Sequence, residues 1–290
     1  MTTHPIFILS APRSGSTLLR VMLAGHPQLF SPPELHLLGF RTIQDREAGL
    51  GLCRSGACQK HGRCDQRHGL QRALMELQQI DDAASRKLID AMLERNEPIT
   101  AVYNLLFQLA APSRLVDKTP TYAARLENLE RAERLFPGAH YIYLHRHPYA
   151  VIESLLRNAF ETSLDKAESV WKVSNGNALK FLETVSPDRQ TRIAYEQLVI
   201  EPERTMRSLC ADLHTDFHAA VLTPYDGVRM TDGIRSGTLP PDDANFRNHS
   251  TIDRNLAHAG LDLDLSQPVH DDTLRIAGAL GYAIGVAAAP

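Results

Sequence analysis

The sequence begins with a short apolar run, a glycine-containing loop and a helix. Ile6–Leu9 is entirely apolar and leads into Ser10–Gly15, which contains a proline and a glycine, as expected of a buried strand that ends in a tight loop. Residues 16–24 carry apolar side chains at helical spacing and stop before Gly25 and Pro27. A strand that enters a helix through such a loop gathers free backbone N–H groups at the positive end of the helix dipole. The unit therefore predicts an anion site.

The loop differs from the phosphate-binding loop of nucleotide triphosphatases. That motif, Gly-x-x-x-x-Gly-Lys-Ser/Thr, needs glycine where Ser10 stands and lysine where Ser16 stands. No acidic residue at a predicted strand end suggests the Mg²⁺ ligand that an enzyme acting on ATP needs. Arg13, Ser16 and Thr17 suit a less charged group, such as a sulfuryl group beside a single phosphate. The alternative is a solvent-exposed glycine turn with a surface arginine.

A second candidate anion site follows the strongest predicted strand, Tyr141–Leu144, which is rich in β-forming residues. Arg146 comes just after this strand, and open α/β sheets bind ligands at the carboxyl ends of their strands. Ser154 lies about two turns into the next predicted helix. The two side chains can therefore reach one phosphate. A surface arginine and a serine on an exposed helix face are the alternative.

Strands alternate with helices along the chain, which predicts an α/β fold. We expect a P-loop-like parallel sheet flanked by helices, with helical and irregular lid or cap segments. Residues 1–290 are predicted to form one domain, with 45–115 as an inserted lid or helical segment and 223–268 as an irregular capping segment. Within the first of these, 45–69 is predicted to be an irregular loop. The predicted strands are 6–9, 115–116, 141–144 and 191–194, and the later helices are 70–79, 83–95, 98–110, 149–158, 164–184, 203–213 and 271–284.

Composition and charge narrow the class of protein. The 290 residues are 43% hydrophobic and 22% charged, which is ordinary for a soluble globular chain. The net charge of −3 disfavours non-specific binding to nucleic acid or to an anionic membrane. No apolar run approaches the roughly 20 residues of a membrane span, and the start lacks the basic region of a signal peptide. We therefore expect a cytoplasmic protein that binds neither nucleic acid nor membranes.

Three of the four cysteines crowd into one short segment that is also rich in histidine. Together these side chains can supply the four sulfur or nitrogen ligands of a structural zinc site, although their spacing matches no standard zinc finger. A flexible lid with incidental thiols and a disulfide are the alternatives. The candidate ligands are Cys53, Cys58, His61, Cys64 and His68.

Four segments, which occur in the expected order along the chain, resemble those of sulfotransferases that use 3′-phosphoadenosine 5′-phosphosulfate (PAPS). Pro12–Thr17 resembles the family's 5′-phosphosulfate loop, and Arg146 with Ser154 resembles its 3′-phosphate pair. Asp117–Pro120 resembles a segment whose lysine approaches the sulfuryl group, and Tyr195–Pro202 resembles a further recurring segment. The resemblance implies PAPS as cosubstrate, PAP as product and no metal in the chemistry. The implied donor-binding residues are Pro12, Arg13, Ser14, Gly15, Ser16, Thr17, Arg146, Ser154 and Tyr195.

A narrower resemblance covers nearly the whole chain. Ser31–Leu38, Arg146–Ser154 and Thr251–Asp253 are similar to the sulfotransferase domains of bacterial polyketide assembly lines. Those domains sulfate the β-hydroxyl of an acyl chain held on an acyl carrier protein, and a thioesterase then hydrolyses and decarboxylates the product to a terminal alkene. The resemblance implies the same partners here. A sulfotransferase for a glycan or small-molecule alcohol, a nucleotide kinase and a non-catalytic PAP-binding module are the alternatives.

Sulfuryl transfer is an in-line displacement that needs positioning, charge stabilisation and one general base. Arg13, Lys118 and the loop amides would stabilise charge on the sulfuryl oxygens and on the leaving phosphate. Glu34 and His36 are the candidate bases, and their spacing aims both side chains to one face if the segment is extended. We predict that Glu34 is the base and that His36 assists it or contacts the sulfuryl group. The reverse assignment stays open because histidine ordinarily titrates nearer neutrality.

Overall fold

The computed structural model describes residues 4–51, 68–158, 160–226, 246, 249–261 and 269–284. Within them, five parallel strands form one sheet in the order β2-β3-β1-β4-β5. The first strand of the chain therefore lies at the centre of the sheet. The strands are β1 Ile6–Leu9, β2 Leu29–Phe30, β3 Arg114–Lys118, β4 His140–His145 and β5 Gln190–Ala194.

Helices cover both faces of the sheet, because its central strands are apolar on both sides. In β1, Phe7 packs into a core cluster on one face, while Ile6 and Ile8 pack into a second cluster on the other. The predicted α/β class is thereby confirmed. The helices are α1 Ser16–Ala24, α2 Ile43–Gly51, α3 His68–Gln78, α4 Asp82–Glu94, α5 Ile99–Ala110, α6 Leu126–Leu135, α7 Pro148–Arg157, α8 Leu164–Leu182, α9 Tyr195–Ile200, α10 Pro202–Asp212 and α11 Asp271–Ala279.

Helices α3, α4 and α5 occupy most of the described part of the segment 45–115, which the sequence marks as an insertion. Their apolar faces join the Phe7 cluster, to which Leu74, Ile89 and Leu106 contribute fully buried side chains. Asp81 caps α4 by accepting a hydrogen bond from the amide of Ala84 at 2.8 Å. These helices thus form part of the wall of the core beside β1 and β3.

The parallel register gathers the functional segments at the carboxyl edge of the sheet. Ile8 of β1 pairs with Lys118 of β3, and Leu9 pairs with Tyr143 of β4. The loop that follows β1 therefore emerges between the end of β3 and the end of β4. This arrangement brings together residues from three distant parts of the chain.

Two sequence-based boundaries are wrong. Residues 45–51, predicted as irregular, belong to α2, because Thr42 and Asp45 cap each other reciprocally through side-chain to backbone bonds of 3.2 Å. The last helix was expected to reach residue 284 but ends at Ala279, since Gly281 adopts a left-handed backbone with φ of 82°. Strand β2 and helix α9 were not predicted.

The predicted irregular segment 223–268 lies largely outside the described residues. Its described part includes a 3₁₀ turn at Arg254–Ala257 that packs against α9. Within the described parts of the chain, no helix has both the length and the apolar character needed to cross a bilayer.

Candidate active site

The loop between β1 and α1 presents backbone N–H groups without acceptors. Arg13 and Gly15 both adopt positive φ, at 67° and 86°, which turns the chain sharply into the helix. No described residue accepts a hydrogen bond from the amides of Ser14, Ser16 or Thr17. The first turn of α1 also carries no acidic side chain. The amides and the helix dipole therefore concentrate positive potential at this point, which suits a compact anion.

Arg146 flanks the loop from the end of β4 and is largely buried. Its guanidinium stacks 4.3 Å from the ring centroid of Tyr195 and donates to the Arg13 and Leu256 carbonyls at 3.4 and 3.1 Å. Burial lowers the pKa of Arg146, which reflects the cost of removing this cation from water. An anion bound beside the guanidinium would offset that cost.

Several buried polar atoms around the loop fit an anionic ligand. Ser10 Oγ, Ser14 Oγ and Arg146 Nε have no hydrogen-bond partner among the described residues. Buried polar atoms are normally paired, so a group of orphans at one place indicates a missing ligand or water. The residues present therefore fit a phosphosulfate or phosphate group.

Ser154 lies within reach of the same site, as the sequence predicts. Its hydroxyl accepts a hydrogen bond from Arg13 Nε at 3.1 Å, while Asn158 Nδ2 donates to its carbonyl at 2.7 Å. Arg146 contacts the backbone of Arg13, and Ser154 contacts its side chain. The predicted pair is thus brought together around Arg13.

Lys118 connects the loop to the two candidate bases. Its ammonium lies 3.4 Å from Thr17 Oγ1 and 2.6 Å from Glu34 Oε1. The other carboxylate oxygen of Glu34 lies 3.1 Å from His36 Nε2. The lysine side chain is 1% exposed and that of His36 is 5% exposed, whereas Glu34 keeps 30% of its side chain in contact with solvent. Of the three charged or titratable groups, Glu34 is the one that faces the open side.

The electrostatic surroundings favour the ionised form of Glu34. Burial raises the pKa of this carboxyl, but the ammonium of Lys118 and then the imidazole of His36 outweigh burial and hold the pKa well below its ordinary value. Glu34 is therefore a carboxylate at neutral pH, but it is only weakly basic while the Lys118 ammonium lies beside it.

The segment that carries Glu34 and His36 is not extended. The expectation that both side chains point to one face required an extended segment, so their spacing does not explain why they meet. His36 adopts a left-handed backbone with φ of 50°, and its ring meets Glu34 from that turn.

Arginine side chains hold the segment that carries Glu34 and His36 by donating to its carbonyls. Arg20 Nη1 bonds Ser31 O at 3.1 Å, Arg46 bonds Leu35 O at 3.1 and 3.0 Å, and Arg131 Nη1 bonds Leu38 O and Phe40 O at 3.1 and 2.8 Å.

A second set of contacts fixes the turn that carries Arg146. Glu196 Oε1 accepts from the amide of His147 at 2.9 Å, and Glu196 Oε2 accepts from the hydroxyl of Tyr282 at 2.9 Å. Trp171 Nε1 donates to the carbonyl of Arg146 at 3.0 Å. Sequence reasoning missed these supports because each acts on backbone atoms or joins residues far apart in the chain.

The predicted zinc ligands Cys53, Cys58, His61 and Cys64 lie outside the described residues, so the zinc site stays a prediction. His68, the fifth candidate, is the first residue of α3. Within the described ranges, no group of three or more His, Cys, Asp or Glu side chains is arranged to hold a metal ion.

Comparison with known proteins identifies relatives over most of the chain. The model of the sulfotransferase family matches residues 5–219. The solved sulfotransferase domain from the curacin biosynthetic pathway is 44% identical, with a TM-score of 0.87 over 97% of this chain and 99% of that one. The sulfotransferase domain from the Synechococcus PCC 7002 olefin synthase is 43% identical, with a TM-score of 0.87 over 97% of this chain and 96% of that one.

Curated proteins give more distant matches. Nodulation protein NoeE of Sinorhizobium fredii is 34% identical over 51% of this chain and 30% of its own length. The protein-tyrosine sulfotransferase of Drosophila melanogaster is 26% identical over 79% of this chain and 42% of its own length. The matched region thus spans less than half the length of these curated relatives. The resemblance expected from the sequence motifs is confirmed.

Gly69 at the start of α3 offers a test of how tightly the Glu34 segment is held. A Cβ atom at this position would lie 1.9 Å from the carbonyl oxygen of Glu34, so Gly69→Ala must displace that backbone. We expect kcat for sulfuryl transfer to fall about tenfold or more, since small misplacements of catalytic groups are costly. Steady-state kinetics would measure the change.

Gly39 supplies the matched control. It belongs to the same segment, but a Cβ atom there would have nothing within 4 Å. We expect Gly39→Ala to leave kcat within about twofold of the wild-type value. Equal kcat in the two variants would show that the Glu34 backbone tolerates displacement.

Proposed function

This chain belongs to the sulfotransferase family, and on that basis we propose that it transfers the sulfuryl group of PAPS to the β-hydroxyl of an acyl chain on an acyl carrier protein. The observation that carries the proposal is the position of Lys118. One buried ammonium contacts both the anion-binding loop at Thr17 and the candidate base Glu34. A donor in the loop and an acceptor hydroxyl at Glu34 would therefore meet at this cation.

The donor side of the site consists of residues 12–17 with Arg146, Ser154 and Tyr195. We assign the 5′-phosphosulfate to the amides of the loop, and the 3′-phosphate to Arg146 and Ser154. Arg146 Nε and the Ser14 hydroxyl have no partner in the described part of the chain, which supports this assignment because bound phosphate oxygens would satisfy them. Tyr195 fixes the plane of the Arg146 guanidinium by stacking against it.

Glu34 is assigned as the general base. It is more exposed than His36 and Lys118, so an incoming hydroxyl can reach its carboxylate. The carboxylate takes the hydroxyl proton as the alcohol oxygen attacks sulfur, and the bond between sulfur and the leaving phosphate of PAP breaks. His36 orients the carboxylate from behind through its 3.1 Å contact. This assignment keeps the roles expected from the sequence.

Lys118 and Arg13 stabilise the charge that moves during transfer. Negative charge shifts from the sulfuryl oxygens to the leaving phosphate, and cations already fixed in a buried site stabilise it without reorganisation. When Lys118 turns toward these oxygens, its hold on Glu34 weakens and the carboxylate becomes a stronger base. Binding of the donor at this ammonium would thereby increase the basicity of Glu34.

The acceptor is assigned from similarity to domains of a curacin pathway and an olefin synthase across 97% of this chain. Sulfation converts a β-hydroxyl into a good leaving group. A thioesterase that hydrolyses and decarboxylates the sulfated acyl chain would then expel sulfate and leave a terminal alkene. We therefore assign an acyl carrier protein and such a thioesterase as partners.

Mass spectrometry of candidate acceptors incubated with PAPS tests the proposal. We expect the mass gain of one SO₃ on β-hydroxyacyl chains attached to a carrier protein, and no gain on the same carrier bearing the chain without its hydroxyl. Free sugars, small alcohols and tyrosine peptides serve as competing acceptors. A gain confined to one of those would overturn the carrier-bound assignment while leaving sulfotransferase activity in place.

Substitution of the candidate base tests the catalytic assignment. We expect Glu34→Gln and His36→Ala each to lower kcat by about 10²–10⁴, the range for loss of a general base or its partner. The affinity for PAP should change little, because neither residue belongs to the donor loop. Single-turnover kinetics and calorimetric titration with PAP would measure the two quantities. Near-normal turnover in both variants would remove these residues from the mechanism.

The pH dependence of kcat/KM tests the role of Lys118. The base works only as a carboxylate, so activity falls when pH drops below the Glu34 pKa, which Lys118 holds low. Lys118→Met removes that cation, and burial then raises the pKa. We therefore expect the acidic limb of the profile to move to higher pH as activity falls. Lys87→Met, an exposed position on α4, is the control, and an unmoved limb in Lys118→Met would contradict the coupling.

A further inference from the structure

The segment carrying Glu34 and His36 is anchored to a buried carboxylate that the proposed chemistry does not use. Asp117, next to Lys118 in β3, is 0% exposed. Its Oδ1 accepts from the hydroxyl of Thr119 at 3.0 Å, and its Oδ2 accepts from the hydroxyls of Tyr103 and Tyr122 at 2.5 and 3.1 Å. Among the described residues, only hydroxyl groups donate to this carboxylate. Keeping a carboxylate away from water is costly in free energy, which points to a structural role for Asp117.

Two of those hydroxyls also accept hydrogen bonds from backbone amides of the segment that carries Glu34 and His36, which is called the catalytic segment below. Tyr122 accepts from the amides of Leu37 and Leu38 at 2.7 and 3.3 Å, and Thr119 accepts from the amide of His36 at 3.4 Å. Three consecutive amides are therefore bound to one carboxylate through hydroxyl intermediaries. The Tyr122 hydroxyl has one proton and two lone pairs, and these three contacts use all of them.

The protonation states favour this direction of donation. Burial and the Asp117 carboxylate raise the pKa of Tyr122, so its phenol stays protonated and donates to Asp117. Burial likewise raises the pKa of Tyr103. Burial also raises the pKa of Asp117, and the hydrogen bonds from Tyr103, Thr119 and Tyr122 oppose that rise. When Asp117 is ionised, Tyr103 and Tyr122 donate to it and keep their lone pairs for other groups.

The position held in this way is a strained one. His36 has φ of 50°, a left-handed backbone that residues with a side chain adopt only at a cost in free energy. Such strain persists where surrounding contacts over-determine the conformation. Here the amide of His36 and the two that follow it are all bound, and the ring then lies 3.1 Å from Glu34 and 3.4 Å from Thr121.

We propose that Asp117, Thr119 and Tyr122 form a clamp that holds His36 in its left-handed conformation and so keeps the imidazole beside the Glu34 carboxylate. The three are positioning residues, since none is assigned a contact with donor or acceptor. The catalytic effect of this clamp rests on the proposed function, because it presupposes that Glu34 and His36 act in sulfuryl transfer.

Tyr103 and Tyr122 provide a matched pair of variants. Both donate to the same oxygen of Asp117, but only Tyr122 also binds the catalytic segment. We expect Tyr122→Phe to lower kcat about ten- to a hundredfold, as for a misplaced catalytic group. The KM for PAPS and the affinity for PAP should stay within about twofold. Tyr103→Phe should leave kcat within about threefold, although it removes a hydroxyl from the same buried carboxylate.

A double-mutant cycle separates positioning from general damage. If Tyr122 acts through His36, Tyr122→Phe should add less than about threefold to the loss already caused by His36→Ala. Side-chain NMR gives a readout without turnover. The His36 ring resonances, assigned by their loss in His36→Ala, should shift in Tyr122→Phe and stay in place in Tyr103→Phe.

The outcomes distinguish the clamp from the function on which it rests. Equal losses of kcat in the two tyrosine variants, or His36 resonances that shift equally in both, would overturn the clamp even in an active enzyme. A wild-type protein that sulfates no alcohol would overturn the proposed function instead. In that case the NMR comparison would still decide whether Tyr122 holds His36.

Discussion

A buried ammonium group is costly unless negative charge lies close to it, and Lys118 meets this requirement with Glu34 at 2.6 Å. The rest of the site depends on this ion pair. It fixes the carboxylate that faces the open side, and it places the same cation 3.4 Å from Thr17 at the start of α1. Donor and acceptor halves of the site therefore share one charge. In the proposed reaction, the arrival of the donor redistributes that charge between the two halves.

The end of β3 supplies both charged residues that organise the site. Successive residues of a strand point to opposite faces of the sheet. Lys118 contacts Thr17 on the side of α1, while Asp117 contacts Tyr103 and Tyr122 within the other core cluster. One strand end thus holds the side chain of Glu34 from one side and the backbone around His36 from the other. The central position of β1, next to β3, makes this double role possible.

Sequence patterns predicted the functional residues that belong to contiguous motifs. They missed the side chains that bind backbone atoms of distant segments. The loop at Pro12–Thr17 could be found because its strand, glycine and helix are contiguous, and Arg146 with Ser154 because they follow one strong strand. The structure brings these together with Glu34, His36 and Lys118. No sequence pattern marks the arginines that bind carbonyls of residues 31–40, since any backbone carbonyl can be their acceptor. Asp117 directly follows the apolar pair Leu115 and Val116, but that position does not indicate its role, because its partners Tyr103 and Tyr122 lie in other segments.

The secondary structure could likewise be predicted where it depends on local periodicity, and it was missed where it depends on capping or on distant contacts. Long periodic helices such as α8 were predicted within a few residues. The two-residue β2 was not, because its pairing with β3 through Leu29 and Phe30 depends on a strand far along the chain. Helix α2 was missed because its polar, glycine-containing sequence has little periodicity. Its helical state depends on the Thr42–Asp45 cap and on the buried side chains of Ile43 and Arg46.

The contact between Gly15 and Tyr195 has a consequence for how this sequence can diverge. A Cβ atom on Gly15 would lie 2.2 Å from the tyrosine ring, and that ring is also the surface on which the Arg146 guanidinium stacks. A larger residue in the loop would push the ring and carry the arginine with it. Positions 15, 195 and 146 are thus expected to vary together among descendants of this chain, or not at all.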